Sequence, residues 1–193
     1  MSPEEYPRRI LLCTLGRTPQ LLTETVYALA CARRPAFVPT EIRLITTSAG
    51  RDAALVALTG TDSHLARLCR DYALPPIRFD AACIDVIGTA AGAPLDDIRT
   101  PSDATVAADD IFRIVRELTR DADAALHVSL AGGRKTMGFA LGHALCLCGR
   151  LQDRLSHVLV SEPFESHRDF FYPPPQPVEV ALRDGTVVSS ADA

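Results

Sequence analysis

Short apolar runs alternate along this chain with segments of mixed polarity. Four apolar runs are interpreted as strands, namely 9–14 (RILLCT), 41–47 (EIRLITT), 124–130 (AALHVSL) and 157–161 (HVLVS), and the first of them lacks the every-second-residue alternation of a strand exposed on one face. A run without alternation is typical of a strand in a parallel sheet covered on both faces. A further strand is predicted within 77–87, and the first run is expected at the centre of the sheet.

The segments between these runs have helical periodicity. Thr18 is predicted to cap the first helix, with Pro19 in its first position. Thr100-Pro101-Ser102-Asp103 has the sequence of another capped helix start. The helices are marked by Leu22, Val26, Leu29 and Ala30, by the residues that follow a predicted small-residue turn at Ser48-Ala49-Gly50 and extend to Leu58, by Leu65, Leu68, Cys69 and Tyr72, by Ile111, Ile114, Val115 and Leu118, and by 134–148.

Alternating strands and helices predict an α/β, Rossmann-like fold with a mostly parallel sheet and helices on both faces. Near the C-terminus, 178–182 and 186–188 flank Arg183-Asp184-Gly185, which predicts a β-hairpin. With 193 residues, the chain is expected to form one domain, with a core over about 9–173 and a hairpin and tail over 174–193.

Composition and charge exclude some classes of protein. The net charge of −4 and the pI of about 5.7 argue against a protein that coats long nucleic acid. No apolar run approaches the roughly 18 residues of a membrane span, and no secretion signal is visible, so a cytoplasmic protein without membrane contact is expected. Six cysteines without C-x-x-C spacing are interpreted as reduced core residues, and no metal site is predicted: Cys13, Cys31, Cys69, Cys83, Cys146 and Cys148.

Three loops after predicted strands carry the candidate chemistry: LGRTPQ, TTSAGR and SLAGGRKTM. Each combines small residues with hydroxyls and an arginine, and ligands of such sheets bind beyond the carboxyl ends of the strands. Small residues let the backbone approach a phosphate at the next helix start. The predicted ligand-binding residues are Gly16, Arg17, Thr18, Gln20, Ser48, Arg51, Ser129, Ala131, Gly132, Gly133 and Thr136.

The common nucleotide motifs are absent from these loops. In Gly132-Gly133-Arg134-Lys135-Thr136 an arginine stands where a P-loop needs glycine before the lysine, and no G-x-G-x-x-G occurs. The absence of these motifs argues against ATP hydrolysis and against NAD binding. An ordinary nucleotide or sugar-phosphate enzyme using the same loops stays open as a weaker alternative.

The segments 14–20 (TLGRTPQ) and 129–137 (SLAGGRKTM) resemble those of the CRISPR-associated Rossmann-fold (CARF) family. The resemblance extends over roughly 9–173 and is closest to the small stand-alone members. It implies a homodimer that binds a cyclic oligoadenylate, most of all the ring of four adenylates, across its twofold axis. It also implies one of two activities: a ring nuclease, or a non-catalytic sensor or sponge that regulates a partner.

For the nuclease, a metal-independent reaction without cofactor is predicted, in which a ribose 2′-hydroxyl attacks the adjacent phosphate. Lys135, with the backbone amides of Gly133 and Arg134, would stabilise the developing charge, and Arg134 could exchange roles with Lys135. Thr14, together with Thr18 and Ser48, would orient the ribose or phosphate. No general base is evident.

The remaining candidates have simpler interpretations. His127 and His143 are predicted to be hydrogen-bonded core residues and His64 a helix-surface residue, whereas His167 lies in a polar loop and merits a test. The segment 88–100 is a candidate binding loop or lid, and within it 97–100 could fold over a ligand. We expect the remaining features to be structural. The carboxylates of Asp96-Asp97 and Asp109-Asp110 should be solvated, and Phe170-Phe171-Tyr172 should pack on the sheet edge rather than on an adenine. The small residues Gly138 and Gly142 should let a strand or another helix approach their helix closely.

Overall fold

The computed structural model describes residues 1–89, 92–182 and 184–192. Within these ranges the sheet has five strands, all paired in parallel, in the order β3-β2-β1-β4-β5. The strands are β1 (Arg8–Leu15), β2 (Glu41–Thr46), β3 (Ile84–Val86), β4 (Ala124–Ser129) and β5 (Arg154–Ser156). The predicted α/β Rossmann-like fold is confirmed, and β1 occupies the expected central position.

Helices cover both faces of the sheet. They are α1 (Gln20–Tyr27), which continues as a π-helical turn over Ala28–Ala32, α2 (Ser48–Leu58), α3 (His64–Asp71), α4 (Pro101–Leu118) and α5 (Lys135–Cys148). A capping box at Thr100 and Asp103 starts α4, as the sequence predicts. No helix in the described part of the chain is long and apolar enough to cross a membrane.

The central strand β1 contributes side chains to two hydrophobic cores, one on each face of the sheet. Successive side chains of a strand point to opposite faces. Ile10 and Leu12 therefore pack with α4 and α5 in one core, while Leu11 and Leu15 pack with α1, α2 and α3 in the other. Every residue from 10 to 15 is buried, so β1 must be apolar on both faces.

The predicted C-terminal hairpin is present. Strands β6 (Glu179–Ala181) and β7 (Val187–Ser189) pair antiparallel as a separate sheet. Gly185 in the connection has a φ of +86°, a conformation that favours glycine. Arg183 of the predicted turn lies outside the described residues.

Three predicted elements are wrong. Ser48-Ala49-Gly50 is not a turn before α2 but its first turn, because Thr47 caps the helix and α2 begins at Ser48. The run 157–161 is not a strand: β4 ends at Ser129, which pairs with Ser156, so the residues beyond Ser156 have no neighbouring strand. Leu159 of this run is 84% exposed. Thr18 does not cap α1, because the N-cap position falls on Pro19 and no side chain caps the helix there.

Two residues on the outward face of α5, predicted to lie in the core, are exposed. Cys146 and His143 are exposed rather than in the core, because α5 turns these positions away from the sheet. Of the other cysteines, Cys13 and Cys83 are buried as expected. His127 is also buried, with Nε2 2.8 Å from Ser156 Oγ, and burial lowers its pKa to about 4.

Two kinds of glycine are distinguished by their surroundings. A Cβ on Gly50, in the first turn of α2, would meet the hydroxyl of Thr46 and lie 2.8 Å from the Gly16 carbonyl oxygen. A Cβ on Gly142 in α5 would approach nothing closer than Leu130 Cδ2 at 3.9 Å, and one on Gly138 nothing closer than the Leu130 carbonyl oxygen at 3.9 Å. The expected close approach at these α5 glycines is therefore wrong, whereas α2 does need Gly50 to reach the end of β1.

We predict opposite stability changes for two matched substitutions. Gly50→Ala forces α2 away from β1 and should lower the free energy of unfolding by about 1 to 3 kcal/mol. Gly142→Ala adds helix propensity without a clash and should raise it by up to about 1 kcal/mol. Urea unfolding followed by circular dichroism measures both, and a Gly50→Ala protein as stable as the parent would contradict this account of the β1–α2 contact.

Candidate functional site

The chain reverses its direction of winding at the centre of the sheet. From β1 it proceeds to β2 and β3 on one side, and then returns to β4 and β5 on the other. The helix that follows β1 belongs to one hydrophobic core, and the helix that follows β4 belongs to the opposite one. The loops after β1 and β4 therefore separate at the carboxyl edge of the sheet, which is where ligands of such sheets bind.

A cleft of about 300 Å³ lies at this position. It brings together residues from all three loops predicted from the sequence, joined by part of the 88–100 segment. The lining residues are Gly16, Arg17, Thr18, Leu21, Thr47, Asp96, Asp97, Ala131, Gly132, Gly133, Arg134 and Met137. An open depression of about 600 Å³ adjoins it, lined by Ile98, Arg99, Thr100, Pro101, Ala104, Gly133, Arg134, Lys135 and Thr136.

The floor of the cleft is a close contact between β1 and the turn after β4. The Thr14 hydroxyl donates to the Gly132 carbonyl oxygen at 2.7 Å, and a Cβ on Gly132 would collide with the carbonyl oxygen of Thr14. Gly133 follows with a φ of +80°, which favours glycine. Ser129 Oγ accepts from the Ala131 amide at 3.4 Å.

Thr14 and Ser129 therefore have supporting positions. Each is 1% exposed, and their hydroxyls are hydrogen-bonded to the turn that they hold. The sequence placed Thr14 among the catalytic residues and Ser129 among the ligand-binding residues. In the structure Thr14 fixes the glycine turn against the end of β1 and does not line the cleft.

The first turn of α5 forms one wall of the cleft. Arg134 occupies the N-cap position without a side-chain cap, and its carbonyl accepts from the amides of Met137 and Gly138. The amides of the preceding first-turn residues have no intrahelical acceptor, and the helix dipole adds positive potential there. Lys135 is exposed and forms no ion pair with the described residues. It is also the single lysine among the chain's 20 basic residues.

Asp97 makes the strongest polar contact inside the cleft. Its carboxylate accepts from Arg134 Nε at 3.1 Å and from an Arg134 terminal nitrogen at 2.5 Å, and Arg99 Nε lies 3.5 Å away. The Arg134 guanidinium lowers the pKa of Asp97 to about 2, so the pair opens only as the pH falls towards that value. The expectation of a solvated Asp97 is wrong, because the 94–100 segment folds back over the start of α5.

This ion pair occupies the position that a phosphate would need. A phosphate oxygen pairs with a guanidinium through the same two-pronged geometry as a carboxylate. An anion that enters the cleft must therefore replace Asp97 at Arg134 or share the guanidinium with it.

The other predicted residues lie around the cleft rather than in its lining. Gln20 Nε2 donates to the Arg168 carbonyl at 2.5 Å, and its Oε1 is buried without a hydrogen-bond partner among the described residues. Ser48 Oγ is 3.4 Å from Asp96 Oδ1, and Arg51 pairs with Asp52 at 2.9 Å. Thr136 faces the adjoining depression.

The aromatic segment, His64 and His167 lie outside the cleft. Phe171 stacks on His64 with ring centroids 3.4 Å apart, and Tyr172 donates to Asp71 at 2.9 Å. Residues 171 and 172 therefore pack on α3, whereas the sequence predicted packing on the sheet edge. His167 Nε2 is 3.3 Å from the Ala181 carbonyl and lines a different depression, near the hairpin.

Sequence reasoning missed several lining residues, namely Thr47, Leu21, Met137 and the two carboxylates Asp96 and Asp97 that it expected to be solvated. Thr47 Oγ1 caps α2 by accepting from the Gly50 amide at 3.4 Å, and its position directly before Ser48-Ala49-Gly50 is a signal that would have identified it. Leu21 and Met137 give the cleft its apolar surface, and nothing in their helical spacing separates them from core residues. Across 1–89, 92–182 and 184–192, no group of three or more His, Cys, Asp or Glu residues is placed to hold a metal ion.

Release of Arg134 should strengthen anion binding. We predict that Asp97→Asn tightens the binding of inorganic pyrophosphate roughly fivefold, the equivalent of one exposed ion pair. Asp96→Asn is the matched control, because Asp96 lines the same cleft but pairs with Arg99 at 3.5 Å and not with Arg134. Isothermal titration calorimetry measures both variants, and equal affinities would show that Asp97 does not compete for Arg134.

Comparison with known proteins supplies the family. No curated protein matches the chain. A solved structure, a provisionally named UDP-N-acetylglucosamine 2-epimerase from Listeria monocytogenes, is 16% identical with a TM-score of 0.39, and the alignment covers 78% of this chain and 31% of that one. A likeness of this size carries no functional argument. The model of the family described as CRISPR-associated protein NE0113 matches residues 18–192, and the chain therefore belongs to this CRISPR-associated family.

Proposed function

We propose that this CRISPR-associated protein binds a cyclic oligoadenylate, the ring of four adenylates, across a homodimer and cleaves the ring without metal. One observation carries the proposal: a glycine turn and a cationic helix start form a cleft at the point where the sheet reverses its winding. A site of this kind suits a phosphodiester. Membership of a CRISPR-associated family supports a role in CRISPR defence.

The charges in and around the cleft fit a ligand with several phosphates. Arg17 and Arg134 line the cleft, and Lys135 lies on the adjoining wall. Arg17 and Lys135 are exposed and form no ion pair with described residues. The amides of the first turn of α5 add uncharged donors directed at the same region.

The size of the cleft argues for a ligand that extends beyond it. Small-molecule sites range upwards from about 300 Å³, and this cleft has about that volume. A ring of several nucleotides must therefore continue over the adjoining depression. A second copy of the chain would bring an equivalent site to the other half of a symmetric ring.

The proposed reaction is a transesterification. The ribose 2′-oxygen attacks the adjacent phosphorus, the bond from phosphorus to the 5′-oxygen breaks, and the products are a 2′,3′-cyclic phosphate and a 5′-hydroxyl. The 2′-hydroxyl proton passes to solvent, and the leaving oxygen takes a proton from water. Lys135 and the amides of Gly133 and Arg134 stabilise the charge that develops on the phosphoryl and leaving oxygens, while the cleft holds the strand in line.

Binding without cleavage is the second candidate function. No histidine is among the described residues that line the cleft or the adjoining depression, and this favours a sensor or sponge. Incubation of the purified protein with cyclic tri-, tetra- and hexa-adenylate, followed by chromatography, separates the two functions. Linear products support the nuclease, whereas tight binding of an intact ring supports the sensor.

Cleavage should not depend on a metal ion. The reaction requires a positioned 2′-hydroxyl and fixed donors but no metal-activated water, so we predict the same single-turnover rate with and without EDTA. A rate that falls in EDTA and returns with a divalent cation would overturn this mechanism.

Lys135→Ala should abolish cleavage far more than it weakens binding. In the ground state the ring's phosphates share several donors, so loss of one should cost about 1 to 2 kcal/mol of affinity. In the transition state extra charge appears at one phosphate, and loss of a donor placed there typically lowers the rate about 10²- to 10³-fold. Single-turnover cleavage and equilibrium binding of the tetra-adenylate ring measure the two effects.

Two further variants serve as comparisons for Lys135→Ala. Arg134→Ala tests whether the neighbouring cation has the larger effect on rate, and Arg116→Ala removes an exposed cation of α4 that lines neither the cleft nor the depression. We expect Arg116→Ala to behave like the parent. A Lys135→Ala protein that cleaves at the parent rate would make the lysine a docking residue only.

A further inference from the structure

The attacking 2′-hydroxyl of the proposed cleavage must lose a proton. A general base positioned beside the hydroxyl speeds such a step, and carboxylates serve as general bases in many enzymes. The charged residues in the described lining of the cleft and the adjoining depression are three arginines, Lys135 and two carboxylates, Asp96 and Asp97. The choice of a base within this lining therefore lies between the two carboxylates.

The two carboxylates differ in position. The Asp96 side chain is 65% exposed and lies 3.5 Å from Arg99, whereas the Asp97 side chain is 26% exposed and pairs with Arg134. Arg134 is at the start of α5, where we expect a phosphate of the ligand to bind. Of the two, Asp97 is therefore the carboxylate beside the phosphate position.

The backbone on both sides of Asp97 is fixed. The Leu95 carbonyl accepts from the Ser48 amide at 2.9 Å. On the other side, Ile98 is buried in the core and its amide donates to Asp97 Oδ1 at 2.8 Å. A phosphate that displaces Asp97 from Arg134 therefore moves a side-chain oxygen and not the segment, and the carboxylate stays beside the ligand.

One oxygen of Asp97 loses its closest partner in this exchange. Oδ1 keeps its hydrogen bond from the Ile98 amide, while Oδ2, 2.5 Å from a terminal nitrogen of Arg134, is released when a phosphate takes the guanidinium. In an aligned ribonucleotide the attacking 2′-oxygen lies about 3 to 3.5 Å from the phosphorus. A free carboxylate oxygen beside that phosphate is therefore placed to accept the proton of the attacking hydroxyl.

We infer that Asp97 is the general base of the proposed ring cleavage, freed for this role when a phosphate replaces it at Arg134. The inference rests on the proposed function. As the 2′-oxygen attacks phosphorus and the bond to the 5′-oxygen breaks, Asp97 Oδ2 takes the 2′-hydroxyl proton. The leaving oxygen takes a proton from water, and Asp97 then gives its proton to the hydroxide ion that results, which restores the carboxylate.

Ligand binding also makes Asp97 a better proton acceptor. In the free protein the Arg134 guanidinium lowers the pKa of Asp97 to about 2, and a group with so low a pKa accepts protons poorly. A phosphate that takes the guanidinium removes a positive charge from Asp97 and brings a negative charge close, and both changes raise the pKa of a carboxylate. The base is therefore masked in the free protein and active beside the substrate.

Asp97→Asn should change binding and rate in opposite directions. Loss of the competing carboxylate frees Arg134, so the tetra-adenylate ring should bind at least as tightly as it binds the parent. Loss of the base should lower the single-turnover cleavage rate roughly 10²- to 10³-fold near neutral pH. Tight binding also shows that the variant is folded, so slow cleavage cannot result from a collapsed site. An Asp97→Asn protein that cleaves at the parent rate would overturn the role of Asp97.

The pH dependence of the rate gives a second readout, which a purely structural residue would not change. With an ionised carboxylate as the base, the parent rate should be nearly constant between about pH 6 and 9. Without it hydroxide must remove the proton, so the Asp97→Asn rate should rise about tenfold per pH unit. Asp97→Glu keeps a carboxylate and should keep the flat profile. A parent rate that itself rises about tenfold per unit would contradict a general base.

Other charged groups surround Asp97 in the cleft and the depression: Asp96, Arg17, Arg99, Arg134 and Lys135. These groups are the same in the parent and in Asp97→Asn. A difference in slope between the two pH profiles therefore belongs to Asp97.

Asp85→Asn is the matched control. The Asp85 side chain is 27% exposed and pairs with Arg43 at 2.5 Å, much as Asp97 pairs with Arg134, but it lines neither the cleft nor the depression. Asp85→Asn should keep the parent rate and the flat profile. Asp96→Asn tests the other carboxylate, and a steep profile there beside a flat one in Asp97→Asn would assign the base to Asp96 and refute the inference.

Failure of this inference can be told apart from failure of the proposed function. A parent protein that cleaves the ring, with an Asp97→Asn protein that cleaves it equally fast, supports the nuclease and rules out Asp97 as its base. A parent protein that binds the ring without cleaving it contradicts the nuclease and the base together, and leaves ring binding as the function.

Discussion

The carbonyl of Thr14 and the backbone of Gly132 approach so closely that no methyl group fits between them. This contact joins the end of the central strand to the turn after its neighbour, and the Thr14 hydroxyl reinforces it with a hydrogen bond to the Gly132 carbonyl. The turn then leads directly into the start of α5. The floor of the cleft and the position of its cationic wall therefore depend on the absence of a side chain at Gly132.

Much of this arrangement could be predicted from local patterns. The uninterrupted apolar run of β1 identified the central strand, because only a strand covered on both faces has no polar positions. The small residues after β1, β2 and β4 identified loops that do meet in one cleft. Helix starts such as that at Thr100 were predictable because a capping box is a short-range signal.

What could not be predicted depends on contacts between distant segments. Residues 157–161 have the composition of a strand, but β4 ends too early to pair with them. The pairing of Asp97 with Arg134 joins residues 37 positions apart, and no local pattern encodes it. The hydrogen bond from Thr14 to the turn after β4 could not be predicted either, because a hydroxyl at the end of a strand has the same sequence signature whether it faces a ligand or supports a turn.

The short strands at the edges of the sheet affect how the protein aggregates. The strands at both edges, β3 and β5, have three residues each, whereas the central strand has eight. Unpaired backbone groups at a sheet edge invite other chains to add strands, and short edges limit that reaction. A sheet with so little edge offers few backbone groups to which another chain could add a strand, so the α/β core resists fibre growth even at high concentration.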